Sequence, residues 1–443
     1  MRDARIDLVL ARIEKDPSII NDVIKNIDSE IRSIRFNSIY VLGELGDKSG
    51  EEAVDKIVYC LEDNDWSICR EAARSLGKIG GLAESAVSSL KNLTSNNEVT
   101  IRIAAIRAIG KIGKASSDSV QSLQNALKDS SEEVRAEAAE ALGLLGQDAF
   151  TAIPALMKSL KDVNWNVRTQ SAKAISNIGK NSVEAIPTLI NALGDRDWRV
   201  RYRVVTTLSE IGEASIPYLL EVINHDDKIV RKGAVEALGE LKLTNPEVIN
   251  QLSVMLNDKD EGVRGKAADS LRSLGEKSVG ALLNALTSAN TKNKILIISA
   301  LGGIGADAKE SVPFLSKMLA ESNRPIRVEI VRTLGNIGVF SPEAKTALIA
   351  ALKDPKTNVR REAALALGKF GQAASDTVPS LLEALTDKKP DVRWRSSEAL
   401  GKIKLNTPEV MTGLKSLIHD ECDYVCESAD VAIDNITETE SNI

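Results

Sequence analysis

The phrase SLGKIG at residues 75–80 returns along the chain as AIGKIG, ALGLLG, AISNIG, TLSEIG, ALGELK, SLRSLG, ALGGIG, TLGNIG, ALGKFG and ALGKIK. Its first glycine, or the residue in its place, stands at 43, 77, 110, 143, 176, 209, 239, 272, 302, 335, 368, 401 and 434. These thirteen positions are separated by nine steps of 33 residues, one of 34 and two of 30. Length alone would divide 443 residues into roughly three ordinary domains. Self-similarity at this period instead means a stacked array, in which each unit buries its apolar face against its neighbours.

Each unit carries two helical patterns, as in ESAVSSLKNL followed by EVTIRIAAIRAIGKIG, where apolar residues recur at steps of three and four. The first, helix A, ends in a polar turn that contains Asp. The second, helix B, ends in the glycine phrase, whose glycines read as helix ends that relieve a left-handed backbone. Pro154, Pro187, Pro217, Pro313 and Pro379 share one column and mark starts of helix A, because proline fits a first helical turn and breaks a later one. Pro246 and Pro408 follow Asn245 and Thr407, residues able to cap a helix. Both 30-residue steps lose their three residues in the connection before helix A and spare the helices. The ninth unit is the most deviant, with Asn293 where others place Val or Ile, and reads as a bend or weak joint.

The expected fold is all-α: an α-solenoid, an armadillo-type superhelix of about thirteen two-helix units. Residues 1–16 form an N-terminal capping helix, 17–436 the repeats with a C-terminal capping unit, and 437–443 a polar tail. Composition agrees, since 43% hydrophobic residues with only 3% aromatic leaves mainly Ala, Val, Ile and Leu for close helix packing.

The unit I/V-P-x-L, then Asp, Val five residues later, Arg, then AAxALGxIG resembles the HEAT-like repeat of the phycobilisome lyase type, over residues 17–436. That resemblance implies that the Asp and Arg columns, among them Asp129, Arg135, Asp162, Arg168, Asp195 and Arg201, form a structural ladder within or between units. The family so resembled includes bilin lyases, the iron enzyme deoxyhypusine hydroxylase, DNA glycosylases of a related type and scaffolds without chemistry. Hydroxylase iron would need His-Glu pairs after the ladder arginine. Only His225 and His419 exist in this chain, and neither stands beside a glutamate in that column.

At 100° per residue the apolar positions of helix B leave free those one, two, five and nine after the ladder arginine. Three clusters fall there or nearby. The first joins Phe36 and Tyr40 to Arg70, Arg74 and Arg107, with Lys78 and Lys111. The second gathers Trp165, Lys173, Trp198, Arg199, Tyr202 and Arg203, and the third Arg361, Trp394 and Arg395 with Lys369 and Lys402. Glu132, Glu133, Glu137 and Glu140 reverse the sign in unit four. Structurally, Trp66, Trp165 and Trp198 would cover the A–B turn and stack on ladder arginines. Functionally, Trp, Tyr and Arg are the residue types of interface hot spots, and the second cluster is the expected principal contact for an acidic, phosphorylated or extended segment.

Chemistry is otherwise sparse. His225 takes the ladder aspartate's place in unit seven and is expected to make a turn hydrogen bond. His419, Cys422 and Cys426 offer three ligands where a structural zinc takes four, so no metal is expected. No catalytic elbow, phosphate loop or dinucleotide fingerprint occurs, and neither a catalytic residue nor a cofactor is assigned. With 57 basic and 63 acidic residues the net charge is -6, which disfavours nucleic acid. There is no signal-peptide pattern and no apolar run long enough for a membrane span. The four cysteines are too few for a disulfide framework, so reduced thiols and a cytoplasmic place are expected. The expected function is a non-enzymatic scaffold, monomeric, that binds an acidic or extended segment of another protein on the concave face lined by the B helices. Bilin lyase or chromophore-chaperone activity and nucleic-acid binding through local basic-aromatic patches are the alternatives.

Overall fold

A computed structural model describes residues 4–113, 117–243 and 245–437, and these are helical throughout with no strand among them. A first helix, Ala4–Lys15, precedes thirteen A/B pairs, from Ile19–Lys25 with Arg32–Leu45 to Pro408–Lys415 with Asp423–Thr437. Thr437 apart, the polar tail lies outside the described residues. By contacts the chain divides into two compact units, Met1–Ala237 and Leu238–Ile443. Each is a stack of these pairs.

The core follows the periodicity. In the third pair Ile101, Ala105, Ile106, Ala108, Ile109 and Ile112 of helix B are all buried, facing Leu90 of helix A. Each fully buried Ile or Leu contributes about 1.5–3 kcal/mol. Helices A open where the prolines place them: Ile153–Ser159, Ile186–Ala192, Ile216–Val222, Val312–Glu321 and Val378–Ala384 each hold proline in the first turn. The Asn245 and Thr407 side chains accept from the amides of Glu247 and Val410. Asn293 is buried and donates its side-chain amide to Asn257 at 3.1 Å, so the ninth unit's polar replacement is a satisfied contact.

The glycine phrase needs a correction. Its second glycine does end helix B in positive φ, as at Gly80 (74°) and Gly212 (93°). Its first lies inside the helix and serves contact. A β-carbon built on Gly110 would sit 2.8 Å from the Ala141 Cα, and one on Gly77 2.9 Å from that of Ala108. Successive B helices therefore pack backbone against small side chains. Open grooves lie between A helices instead, such as that lined by Ile249, Asn250, Val254, Ala281 and Ala285.

Candidate partner-binding surface

The ladder's rungs run between units. Arg135 donates from Nε and Nη2 to the Asp162 carboxylate at 2.7 and 2.9 Å, while its Nη1 donates to the Asp129 and Ser130 carbonyls of its own turn. Asp162 also accepts the Asn164 amide at 2.9 Å. One guanidinium thus fixes its own turn and grips the next. Burial alone would raise the Asp162 carboxyl pKa, but Arg135 and that amide outweigh it and hold the carboxyl below its ordinary value. Bidentate rungs recur at Arg168–Asp195, Arg327–Asp354, Arg360–Asp387 and Arg393–Asp420, and Arg102 bonds Asp129 through Nη2 alone.

The ladder is interrupted in two ways. Cys69 replaces the arginine of unit two, its Sγ 3.1 Å from the Leu61 carbonyl, and Asn96 replaces the aspartate it would have met, so neither charge is stranded. At the first 30-residue step only one partner changes. Arg201 keeps its Nη1 bonds to the Asp195 and Arg196 carbonyls at 2.6 and 3.2 Å. The position facing it is His225, whose Nδ1 accepts the Asp227 amide at 3.0 Å. The histidine does the aspartate's turn work and brings no carboxylate. Among the described residues none is paired with Arg201.

In the second cluster the Arg199 guanidinium lies 3.4 Å from the centre of the Trp165 ring and binds the Asp197 carboxylate at 3.0 and 2.7 Å. Arg199 first, and the Arg199 amide, hold the Asp197 carboxyl down to about 2 against burial. Trp198 and Tyr202 are 66% and 58% exposed, one helical turn apart on Trp198–Ile211. Arg203 is partly exposed and has no acidic partner among the described residues, whereas Lys173 pairs with Glu140 at 3.2 Å. Trp165 and Trp198 do not meet ring to ring. The expectation that tryptophans stack on ladder arginines is corrected: Trp66 and Trp165 take Arg70 and Arg199, which lie off the ladder.

The other two clusters are largely neutralised. Lys78 sits over Tyr40 and binds Glu44, Arg74 binds Glu71 at 3.3 Å, and Arg107 takes Glu137 with two bonds. Phe36 is half-buried. In the third cluster Arg361 bonds Glu362 at 3.0 Å, while Arg395 lies over Trp394 and bonds Glu398. Trp394 meets Tyr424 edge to face at 5.5 Å. The column two after the arginine is also less free than the helical wheel implies. Glu71, Glu329 and Glu362 are buried there, against the preceding B helix that the glycine contact draws close. Burial pushes the Glu71 carboxyl up.

Among the described residues His419, Cys422 and Cys426 do not converge. The group that does is Asp420, Glu421 and Cys422. Asp420 already gives both oxygens to Arg393, and the Cys426 Sγ lies 3.3 Å from the Asp420 carbonyl. No described helix is long and apolar enough to cross a membrane.

The family described as HEAT repeats matches residues 20–104, 89–176, 153–239, 216–283, 279–357 and 346–432. The chain belongs to the HEAT-repeat family. No curated protein matches it significantly. A chain in a structure of Kap95p with RanGDP aligns at 14% identity and TM-score 0.50, covering 95% of this HEAT-repeat chain and 66% of the other. This chain thus spans about two thirds of that one's length. Importin beta, solved in an ammonium sulfate condition, aligns at 13% identity and TM-score 0.46, covering 100% and 71%. Within the HEAT frame, sequence reasoning missed the bare edge of Arg201 and the neighbouring Arg196, which donates to the exposed Val163 carbonyl at 2.8 Å. The signal was available, since His225 interrupts the aspartate column directly after a shortened step.

Proposed function

We propose that this HEAT-repeat chain is a non-enzymatic scaffold or adaptor that holds an extended, acidic segment of another protein against its B helices. Trp198, Tyr202 and Arg203 make the principal contact, Trp165 with Arg199 forms its floor, and Lys173 stands at its edge. The carrying observation is the exposure of Trp198 and Tyr202 beside the partly exposed Arg203 guanidinium, which has no acidic partner among the described residues. Aromatic and arginine side chains in that setting supply large contact area and charge-assisted bonds. Phe36, Tyr40, Arg70, Arg74, Arg107, Arg361, Trp394 and Arg395 are secondary patches, weakened as anion sites where acids already hold their charges.

The B side is taken as the receiving wall in this reading, supported by the close backbone packing of successive B helices and the grooves between A helices. Kap95p is a protein that binds RanGDP; the comparable use proposed for this chain is of the fold, with its own partner. The chain acts as a monomer in the cytoplasm in this reading. The phycobilisome-lyase type of the repeats is proposed on the whole unit pattern, I/V-P-x-L, Asp, Val, Arg and AAxALGxIG, and absorbance after incubation with a bilin tests the alternative of lyase or chromophore-chaperone activity. The function itself is tested by capturing a partner from the native cell and repeating the capture with Tyr202→Ala combined with Arg203→Glu. Loss of the partner with the helical fold intact is expected, and undiminished capture overturns the assignment.

A further inference from the structure

The ladder supplies its own template for a carboxylate site. In Arg168 the Nε and Nη2 atoms hold Asp195 at 2.6 and 2.7 Å, after Nη1 has been anchored on the Asp162 and Val163 carbonyls. Arg201 has the same anchorage on the Asp195 and Arg196 carbonyls, so its guanidinium is held in the same attitude before any ligand arrives. What differs is the partner position. The shortened connection coincides with His225, which keeps the turn through its Nδ1 and offers Arg201 no negative charge. Arg168 is 4% exposed, whereas Arg201 is open in part to solvent.

Two neighbours favour a peptide over a free anion. Trp198 and Tyr202, three before and one after Arg201, lie on the adjoining side of the helix and are exposed. Arg196 adds a guanidinium whose Nη2 donates to the Val163 carbonyl at 2.8 Å and which has no acidic partner among the described residues. The second 30-residue step repeats the pattern: Arg264 bonds the Asp258 and Lys259 carbonyls at 2.8 and 3.3 Å, and Ser288 stands in the aspartate's position. A shortened step and an open rung therefore go together in both compact units.

We propose that the Nε/Nη2 edge of Arg201 receives a carboxylate from an acidic segment of the partner protein, which supplies from outside the rung that the chain omits between its sixth and seventh repeats. The proposal rests on the scaffold reading above and names the chemistry of its anchor. Residues flanking that carboxylate on the partner are apolar or aromatic, to lie on Trp198 and Tyr202. Preorganisation by the Nη1 bonds lowers the ordering cost of binding.

The test uses the full chain, with fluorescence anisotropy of a short fluorescein-labelled peptide of alternating glutamate and phenylalanine. Its glutamine counterpart and a labelled oligodeoxythymidine serve as the other probes. Wild-type protein is expected to bind the acidic peptide saturably and the glutamine peptide at least about tenfold more weakly. Arg201→Gln is expected to cost a similar factor, and Arg201→Lys less than that. His225→Asp closes the rung from within, so it should weaken the peptide about tenfold while raising Tm by about 1–2 °C. Binding and stability moving in opposite directions is a result that a merely structural role would not give. Where aspartate at 225 disturbs folding, Arg201→Gln carries the test alone. Unchanged peptide affinity in both variants, no saturable binding by wild type, or tighter binding of the oligonucleotide overturns the proposal. Loss with Tyr202→Ala but not with Arg201→Gln or His225→Asp leaves the B-face reading standing and removes only this inference.

Discussion

Arg168 and Arg201 occupy one column in adjacent repeats and make the same pair of bonds to their own turns, yet one is buried in a bidentate ion pair and the other has no acid paired with it among the described residues. The difference comes from the facing residue, Asp195 in one case and His225 in the other. A repeat protein can therefore keep a local bond that shapes the turn while giving up the bond that ties units together. The first is needed in every copy for the fold, whereas the second can be relinquished where neighbouring interfaces suffice.

Acid should separate the two regions most. The carboxyls of Asp162, Asp387 and Asp420 are held below the ordinary aspartate value, Asp420 chiefly by Arg393 and the others by arginine and amide against burial. A carboxyl lowered on folding contributes stability that is complete above its unfolded pKa, about 3.9, and is lost as pH falls through the folded value. Hydrogen exchange followed below about pH 4 should thus show the turn around Arg135 and Asp162 losing protection, while the Arg201–His225 joint has no rung carboxylate among the described residues to lose. Uniform loss at both would show that the rungs do not control local stability.

Arg168→Ala follows, with an expected destabilisation of about 3 kcal/mol in urea unfolding, because it strands the largely covered Asp195 carboxylate, whose side chain is 10% exposed. Arg201→Ala should cost only about 1 kcal/mol, the worth of its carbonyl bonds. Equal costs would abolish the contrast on which the open rung depends. Gly110→Ala should cost about 1–3 kcal/mol by driving a methyl into Ala141. Gly265→Ala, on a B helix with nothing within 4 Å of the new carbon, should stabilise by about 0.5–1 kcal/mol. Thermal unfolding of the two variants should move in opposite directions. The smallest effect is expected at Lys404, which ends its B helix at φ 57°: Lys404→Gly should gain up to about 1 kcal/mol, read as a slightly higher midpoint in the same assay.

The candidate surface was half legible in the sequence. Trp198 and Tyr202 could be placed on an exposed face because helical period and ladder column together fix their azimuth. The pairing of Arg107 and Lys173 was not, since their partners Glu137 and Glu140 lie 30 and 33 residues away on neighbouring helices. Glu71 and Glu362 read as free on an isolated helical wheel, and the approach of the neighbouring helix is what buries them.

By itself the sequence determined thirteen helical pairs, their boundaries and the columns of the ladder, because periodicity, proline and glycine act within a few residues. Only the tertiary structure decided that the paired ladder arginines reach forward to the next repeat, that the first glycine of the phrase is a contact and the second a stop, and which charges remain unspent. Those outcomes depend on the distance between neighbouring helices, which is set by packing across repeats.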